Sequence, residues 1–133
     1  MLGYLMIGAN DVAQSVRFYD AVLLPLGYRK REGDGYAQYS IEDVADRDNG
    51  PGTVYVMKPF DGEAATPGNG MMPAFRAPDV DAVHAQHAAG LAAGGSDEGA
   101  PGTRSYYSPT FYVGYLRDPV GNKLSLFTVL ESQ

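Results

Sequence analysis

The chain has 133 residues, no cysteine, and 10 Lys+Arg against 16 Asp+Glu, for a formal net charge of −6. That length fits one domain with its own hydrophobic core, and the lack of cysteine excludes disulfides, thiolate metal sites and a thiol nucleophile, which points to the cytoplasm. The acidic balance excludes nucleic acid as a partner, since affinity for a phosphate backbone rests on Lys and Arg displacing counterions.

Residues 2–9 are apolar but broken by Gly3, Tyr4 and Gly8. They are too few to span a bilayer, so they predict a first strand and no membrane partner. After Asn10-Asp11, the residues Val12, Val16, Tyr19, Leu23 and Leu26 recur every three or four positions, the stripe of an amphipathic helix. Asp11 is placed to cap that helix by accepting from its free backbone N–H groups, with Gln14 three residues on, and Pro25 and Gly27 close it. Residues 28–31, a turn at 32–35, the alternating stretch 36–41, a polar loop ending in Asn49-Gly50-Pro51-Gly52 and the β-rich segment 53–57 predict three further strands.

A Pro/Gly joint, Thr66-Pro67-Gly68-Asn69-Gly70, opens a second pass. It predicts a strand at 71–77, a helix from Asp79 to about Leu91 ended by Gly94-Gly95, and a loop through Gly102. An aromatic strand at 110–116, a turn at 118–122 and a last strand at 123–130 complete it. An offset of 68 residues carries Asp11-Val12 onto Asp79-Val80 and Gly27 onto Gly95. Coincident helix starts and ends indicate an internal duplication. The expected fold is α+β, a single domain of two units spanning about 1–60 and about 70–133, each running strand, helix, then strands.

Four segments extend this pattern: Met1-Leu2-Gly3-Tyr4, residues 15–19 in the first helix, Gly68-Asn69-Gly70-Met71-Met72-Pro73-Ala74-Phe75, and Arg117-Asp118-Pro119-Val120-Gly121-Asn122-Lys123. Together they resemble, over nearly the whole chain, the vicinal oxygen chelate superfamily of glyoxalase I, bleomycin-resistance proteins and ring-cleaving dioxygenases. The resemblance implies two βαβββ units whose curved mixed sheets enclose one cavity, a helix backing each, and a homodimer, which apolar strand faces and free sheet edges also favour. It further implies metal ligands on the first strand of each unit, usually His, and on the last, usually Glu. Here those places resemble Tyr4, Met72, Met57 and Ser125, and the offset of 68 relates Tyr4 to Met72 and Met57 to Ser125. None offers the imidazole nitrogen or carboxylate oxygen that such an ion needs, and a thioether is soft and neutral. No metal and no cofactor are expected, and with them no chemistry that polarises two neighbouring substrate oxygens.

Other residues supply candidate contacts. Strand alternation puts Met72, Ala74 and Arg76 on one face, where Arg76 would either bind a carboxylate bidentately or form a rim salt bridge. Pairing the last two strands around residues 118–122 sets Gly114 opposite Ser125 and turns Tyr112 and Phe127 to the same face; a slip of one residue selects Phe111 and Val113 instead. Tyr106, Tyr107, Phe111, Tyr112 and Tyr115 form either an aromatic wall for a flat or cationic ligand or ordinary core and interface. His84 and His87 read as outer-helix residues, and the acidic residues between Glu32 and Asp48 as a solvated loop. No serine has a triad-like setting, and no glycine run has the P-loop form.

The sequence thus predicts a metal-free protein that binds a small organic molecule through Tyr4, Met57, Met72, Arg76, Tyr112, Ser125 and Phe127. The alternative is a glyoxalase- or dioxygenase-type enzyme that either uses an ion held by other residues or works without one through Arg76 and a tyrosine hydroxyl.

Overall fold

The protein is described by a computed structural model over residues 1–131. Strand β1 (Tyr4–Gly8) leads into helix α1 (Val12–Leu23), a 3-10 turn (Leu24–Leu26) and strands β2 (Tyr28–Gly33), β3 (Tyr36–Ile41) and β4 (Thr53–Met57). The second unit follows with β5 (Ala74–Arg76), α2 (Val80–Ala92), β6 (Ser96–Arg104), β7 (Ser108–Arg117) and β8 (Lys123–Val129). Each unit forms a four-stranded mixed sheet, ordered β1-β4-β3-β2 and β5-β8-β7-β6, with its first strand parallel to its last. No helix is long and apolar enough to cross a membrane among the described residues.

Both helices start as their sequences dictate. Asp11 Oδ1 accepts from the Gln14 backbone N–H at 3.1 Å, and Asp79 Oδ1 accepts from Ala82 N–H at 2.8 Å. Each carboxylate satisfies a donor that the first helical turn leaves free.

One core runs through both units. The alternating residues Ile7, Ala37, Tyr39, Val54 and Val56 of the first sheet meet α1, while Phe75, Leu116, Leu124 and Leu126 of the second belong to the same buried cluster. At about 1.5–3 kcal/mol for each large apolar side chain removed from water, this cluster is the main stabilising term. Gly90 is where the helices close on one another, since a Cβ there would lie 2.7 Å from Leu116 Cδ1 and 3.1 Å from Val22 Cγ2.

A polar joint crosses the core. The buried Tyr19 hydroxyl donates to Asp118 Oδ2 at 2.7 Å, and Asp118 Oδ1 accepts from the backbone N–H groups of Val120, Gly121 and Asn122. Asn122 Nδ2 reaches Gly8 O at 3.1 Å, which ties the β7–β8 turn to the end of β1. Burial and the Asp118 charge push the Tyr19 phenol well above the ordinary tyrosine range.

The structure departs from expectation in three places. The segment 96–104, expected as a loop, is strand β6, paired with β7 through several register shifts. Its glycines and Pro101 hide the alternation of a strand, but an edge position with bulges tolerates both. Strand β5 is also shorter than expected, because Pro73 cannot donate to a ladder.

The third departure concerns the repeat. The hydrogen bonds Ala9 N–H to Met57 O and Ala77 N–H to Phe127 O are equivalent, so 68 residues separate the first strands but 70 separate the last. Met57 therefore corresponds to Phe127, and Ser125 to Tyr55, rather than Met57 to Ser125. Two additional residues between α2 and β8 produce the change. The left-handed glycine after α2 is likewise Gly94, at φ 98°, rather than Gly95.

Candidate functional site

Each sheet turns one face toward the helices and the other outward. Directly opposed residues of an antiparallel pair share a face. In β7 and β8 the pairs are Phe111 with Val129, Val113 with Phe127, Tyr115 with Ser125, and Arg117 with Lys123. These residues form the outward face of unit two, since the alternating Leu116, Leu124 and Leu126 are in the core.

Tyr112 is not on that face. It pairs with Thr128, and its hydroxyl lies 2.6 Å from His84 Nε2 on the helix side. The expected register is off by one residue, and the slipped alternative that selects Phe111 and Val113 is the one observed. The cause is the compact turn in which Asp118 N–H bonds Asn122 O, so that Arg117 pairs with Lys123. His87, expected near the outer helical surface, is buried, with Nε2 3.1 Å from Tyr115 O and 3.2 Å from Asp97 Oδ1.

The structure places Arg76, Ser125 and Phe127 on the outward face of this second sheet, with Met72 in the segment just before β5. Arg76 faces Phe127 across the parallel β5–β8 pair, with its Cζ 4.8 Å from the ring centroid. Ser125 is only 1% exposed, and its Oγ has no hydrogen-bond partner. Met72 joins Tyr107, Ser108, Thr110, Phe111, Tyr115 and Val129 in lining a cavity of about 500 Å³. Phe111 packs on Phe127 at 5.8 Å and edge-on to Tyr107 at 6.1 Å, which builds a continuous aromatic floor. Burial raises the Tyr115 phenol above its usual range, so the hydroxyl stays protonated near neutrality.

Tyr4 and Met57 lie on the outward face of the other sheet and line none of this cavity. They are not neighbours there either, because Tyr4 pairs with Thr53, four residues before Met57. Tyr4 instead packs edge-on against Tyr55 at 5.6 Å and remains 55% exposed. Sequence reasoning missed Tyr55 and Gln38, which occupy the middle of this face; the strand alternation 53-55-57 contained the signal for Tyr55.

Unit one covers its outward face with its own polar groups. Asp48 Oδ1 accepts from Arg31 and from Gln38 Nε2 at 2.9 Å, the Tyr55 hydroxyl donates to Asp48 O at 2.7 Å, and Arg29 pairs with Glu42. The hydrogen bond from Gln38 and the Arg31 guanidinium hold the Asp48 carboxyl below the usual carboxylate range. Asp46 is lowered as well, chiefly by Asn49. The acidic segment is thus largely occupied with its own arginines and amides.

The donor chemistry does not fit a divalent ion. Tyr4, Met72, Met57 and Ser125, together with the true strand counterparts Tyr55 and Phe127, supply phenols, thioethers, one buried hydroxyl and a bare ring, with no imidazole or carboxylate. Among the described residues no three His, Cys, Asp or Glu side chains converge in a metal-holding group.

A two-unit βαβββ architecture with an outward aromatic cavity defines the class of protein. Residues 1–126 match the Glyoxalase/Bleomycin resistance protein/Dioxygenase superfamily, and the chain belongs to that superfamily. It is similar, at 35% identity and a TM-score of 0.82, to a glyoxalase/bleomycin resistance protein from Albidiferax ferrireducens T118, over 94% of this chain and 96% of that one. A glyoxalase/bleomycin resistance protein/dioxygenase family enzyme from Burkholderia phytofirmans PsJN shares the fold at 20% identity and TM-score 0.72, over 97% of this chain and 98% of that one. A lactoylglutathione lyase from Agrobacterium tumefaciens does so at 17% and 0.61, over 96% and 92%. No curated protein sequence matches the chain.

Proposed function

We propose that this superfamily member binds a small organic molecule in the aromatic cavity of its second unit, without a metal ion, as a cytoplasmic homodimer. The observation that carries the reading is the cavity of about 500 Å³ walled by Tyr107, Phe111 and Tyr115. Its size falls in the range of small-molecule sites, which are mostly apolar with a few placed polar groups. Arg76, Ser125 and Phe127 support it from the adjoining strands, and Met72 forms part of its wall. Tyr4 and Met57, on the other sheet, come into this reading only if a second copy brings that face to the cavity.

Elemental analysis of protein purified without chelator tests the metal-free part. The expected result is no stoichiometric nickel, zinc, manganese or iron and no melting shift when these ions are added, because an ion bound to the native state must raise the melting temperature. Light scattering on a size-exclusion column tests the dimer. Narrowing the cavity with Val129→Trp tests the site: it abolishes ligand binding while leaving melting close to that of the parent chain, since Val129 is exposed at the end of β8.

The enzymatic alternative has one observation in its favour, an Arg76 guanidinium with no carboxylate partner among the described residues, on the same sheet face as the cavity. It requires turnover, which Arg76→Ala removes if the guanidinium acts in it; normal turnover in that variant removes the role given to Arg76, and no turnover in the parent chain ends the alternative.

A further inference from the structure

The chain as a whole is acidic, yet the cations of unit two gather on the sheet face that carries the aromatic cavity. After residue 70 the sequence contains four Lys and Arg residues, Arg76, Arg104, Arg117 and Lys123. All four reach the outward face of unit two. Arg76 lies over the Phe127 ring, Arg104 and Lys123 lie 5.5 and 5.1 Å from the Tyr115 centroid, and Arg117 is directly opposite Lys123. Among the described residues only Arg117 has a carboxylate, Glu98 at 2.7 Å, while Arg104 donates to the carbonyls of Ala100 and Thr103.

Like charges placed opposite each other on a sheet repel, and an anion between them relieves the repulsion. The protein's own cations already lie over the Phe127 and Tyr115 rings, so a cationic guest beside those rings meets repulsion where the rings alone would attract it. A second, more polar hollow of about 390 Å³ contains Arg117 and Lys123, and Met72 is shared between it and the aromatic cavity. An apolar compartment thus adjoins a basic one.

Resting on the cavity reading above, we infer that the ligand is a flat apolar molecule carrying a carboxylate, its body against Phe111 and Tyr115 and its carboxylate at Lys123. Titration calorimetry with three probes of one shape tests this: 2-naphthoate, 2-naphthalenemethanol and 2-naphthylmethylammonium. The expected order is acid over alcohol by roughly tenfold, the worth of a charge-assisted contact, with the ammonium weakest. Added salt and Lys123→Gln each shrink the acid-to-alcohol ratio toward one, and Lys123→Arg restores it, which separates lost charge from lost folding. Equal binding of acid and alcohol, or preference for the ammonium, overturns the carboxylate inference and leaves the cavity reading standing. If no naphthalene probe binds a chain that melts normally, both fall.

Discussion

The two units turn the same sheet face outward and treat it differently. In unit one the loop between β3 and β4 folds back, and Asp48 engages Arg31, Gln38 and the Tyr55 hydroxyl. In unit two a short turn joins β7 to β8, and its Asp118 points inward to Tyr19 and its own turn. The outward face is left with aromatic rings and four cations, of which among the described residues only Arg117 pairs with a carboxylate, Glu98. One scaffold therefore yields a self-satisfied face and an open one, and the difference lies in where a single connection sends its aspartate. A duplicated fold does not imply a duplicated site.

Breaking the inward aspartate produces the largest effect. Asp118→Ala leaves Tyr19 and three turn N–H groups without their acceptor, and a buried network that loses a charged acceptor costs about 3 kcal/mol. Urea unfolding monitored by tyrosine fluorescence measures it, and a loss below the cost of one ordinary hydrogen bond contradicts the joint described here.

Alkaline titration gives the next effect. Burial, followed by the Asp20 hydrogen bond, pushes the Tyr39 phenol far above its ordinary value, and Tyr19 behaves alike. A phenol raised in the folded state contributes stability that is complete below the unfolded value of about 10 and is lost as pH rises beyond it. Melting temperature therefore falls above that pH. Tyr39→Phe costs about 1 kcal/mol at neutrality through its lost bonds to Asp20 and Val16 but flattens the alkaline decline.

Acid sharpens the contrast between the faces. Asp46 and Asp48 are lowered in the folded protein, so their contribution is present above the usual carboxylate range and disappears as pH falls through their folded values. Hydrogen-exchange protection of residues 42–52 falls on acidification, and Asp48→Ala reproduces that loss at neutral pH. Unchanged protection in the variant would show that the loop does not depend on this carboxylate.

The smallest effect is a gain. Ser15 Oγ and Ser125 Oγ are buried without partners. Ser15→Ala on α1 raises stability by about 1 kcal/mol through a removed orphan hydroxyl and better helix propensity. Ser125→Ala gives a comparable gain in the free protein, and the melting curve of each variant checks the sign.

Much of the fold was legible because its signals are local. Asp11 and Asp79 cap helices through residues three positions away, and the stripe from Val12 to Leu23 repeats within one helix. Strand β6 was not legible, since its glycines and Pro101 carry no period and only pairing with β7 makes it a strand. The site was half legible: Arg76 and Phe127 face each other as alternation requires, but Tyr112 turns away because one residue of register inverts a strand.

The sequence by itself determined the first βαβββ unit, the strand, helix, strands order of the second, their capped helices and the want of imidazole or carboxylate at the strand positions where the family resemblance looks for ligands. Those follow from residue type and short-range spacing. Tertiary structure alone decided that Met57 corresponds to Phe127, that Tyr115 rather than Gly114 opposes Ser125, and that four cations share the sheet face of one aromatic cavity. Each depends on strand register and on residues far apart in the chain, which are set by how the turns close and the core packs.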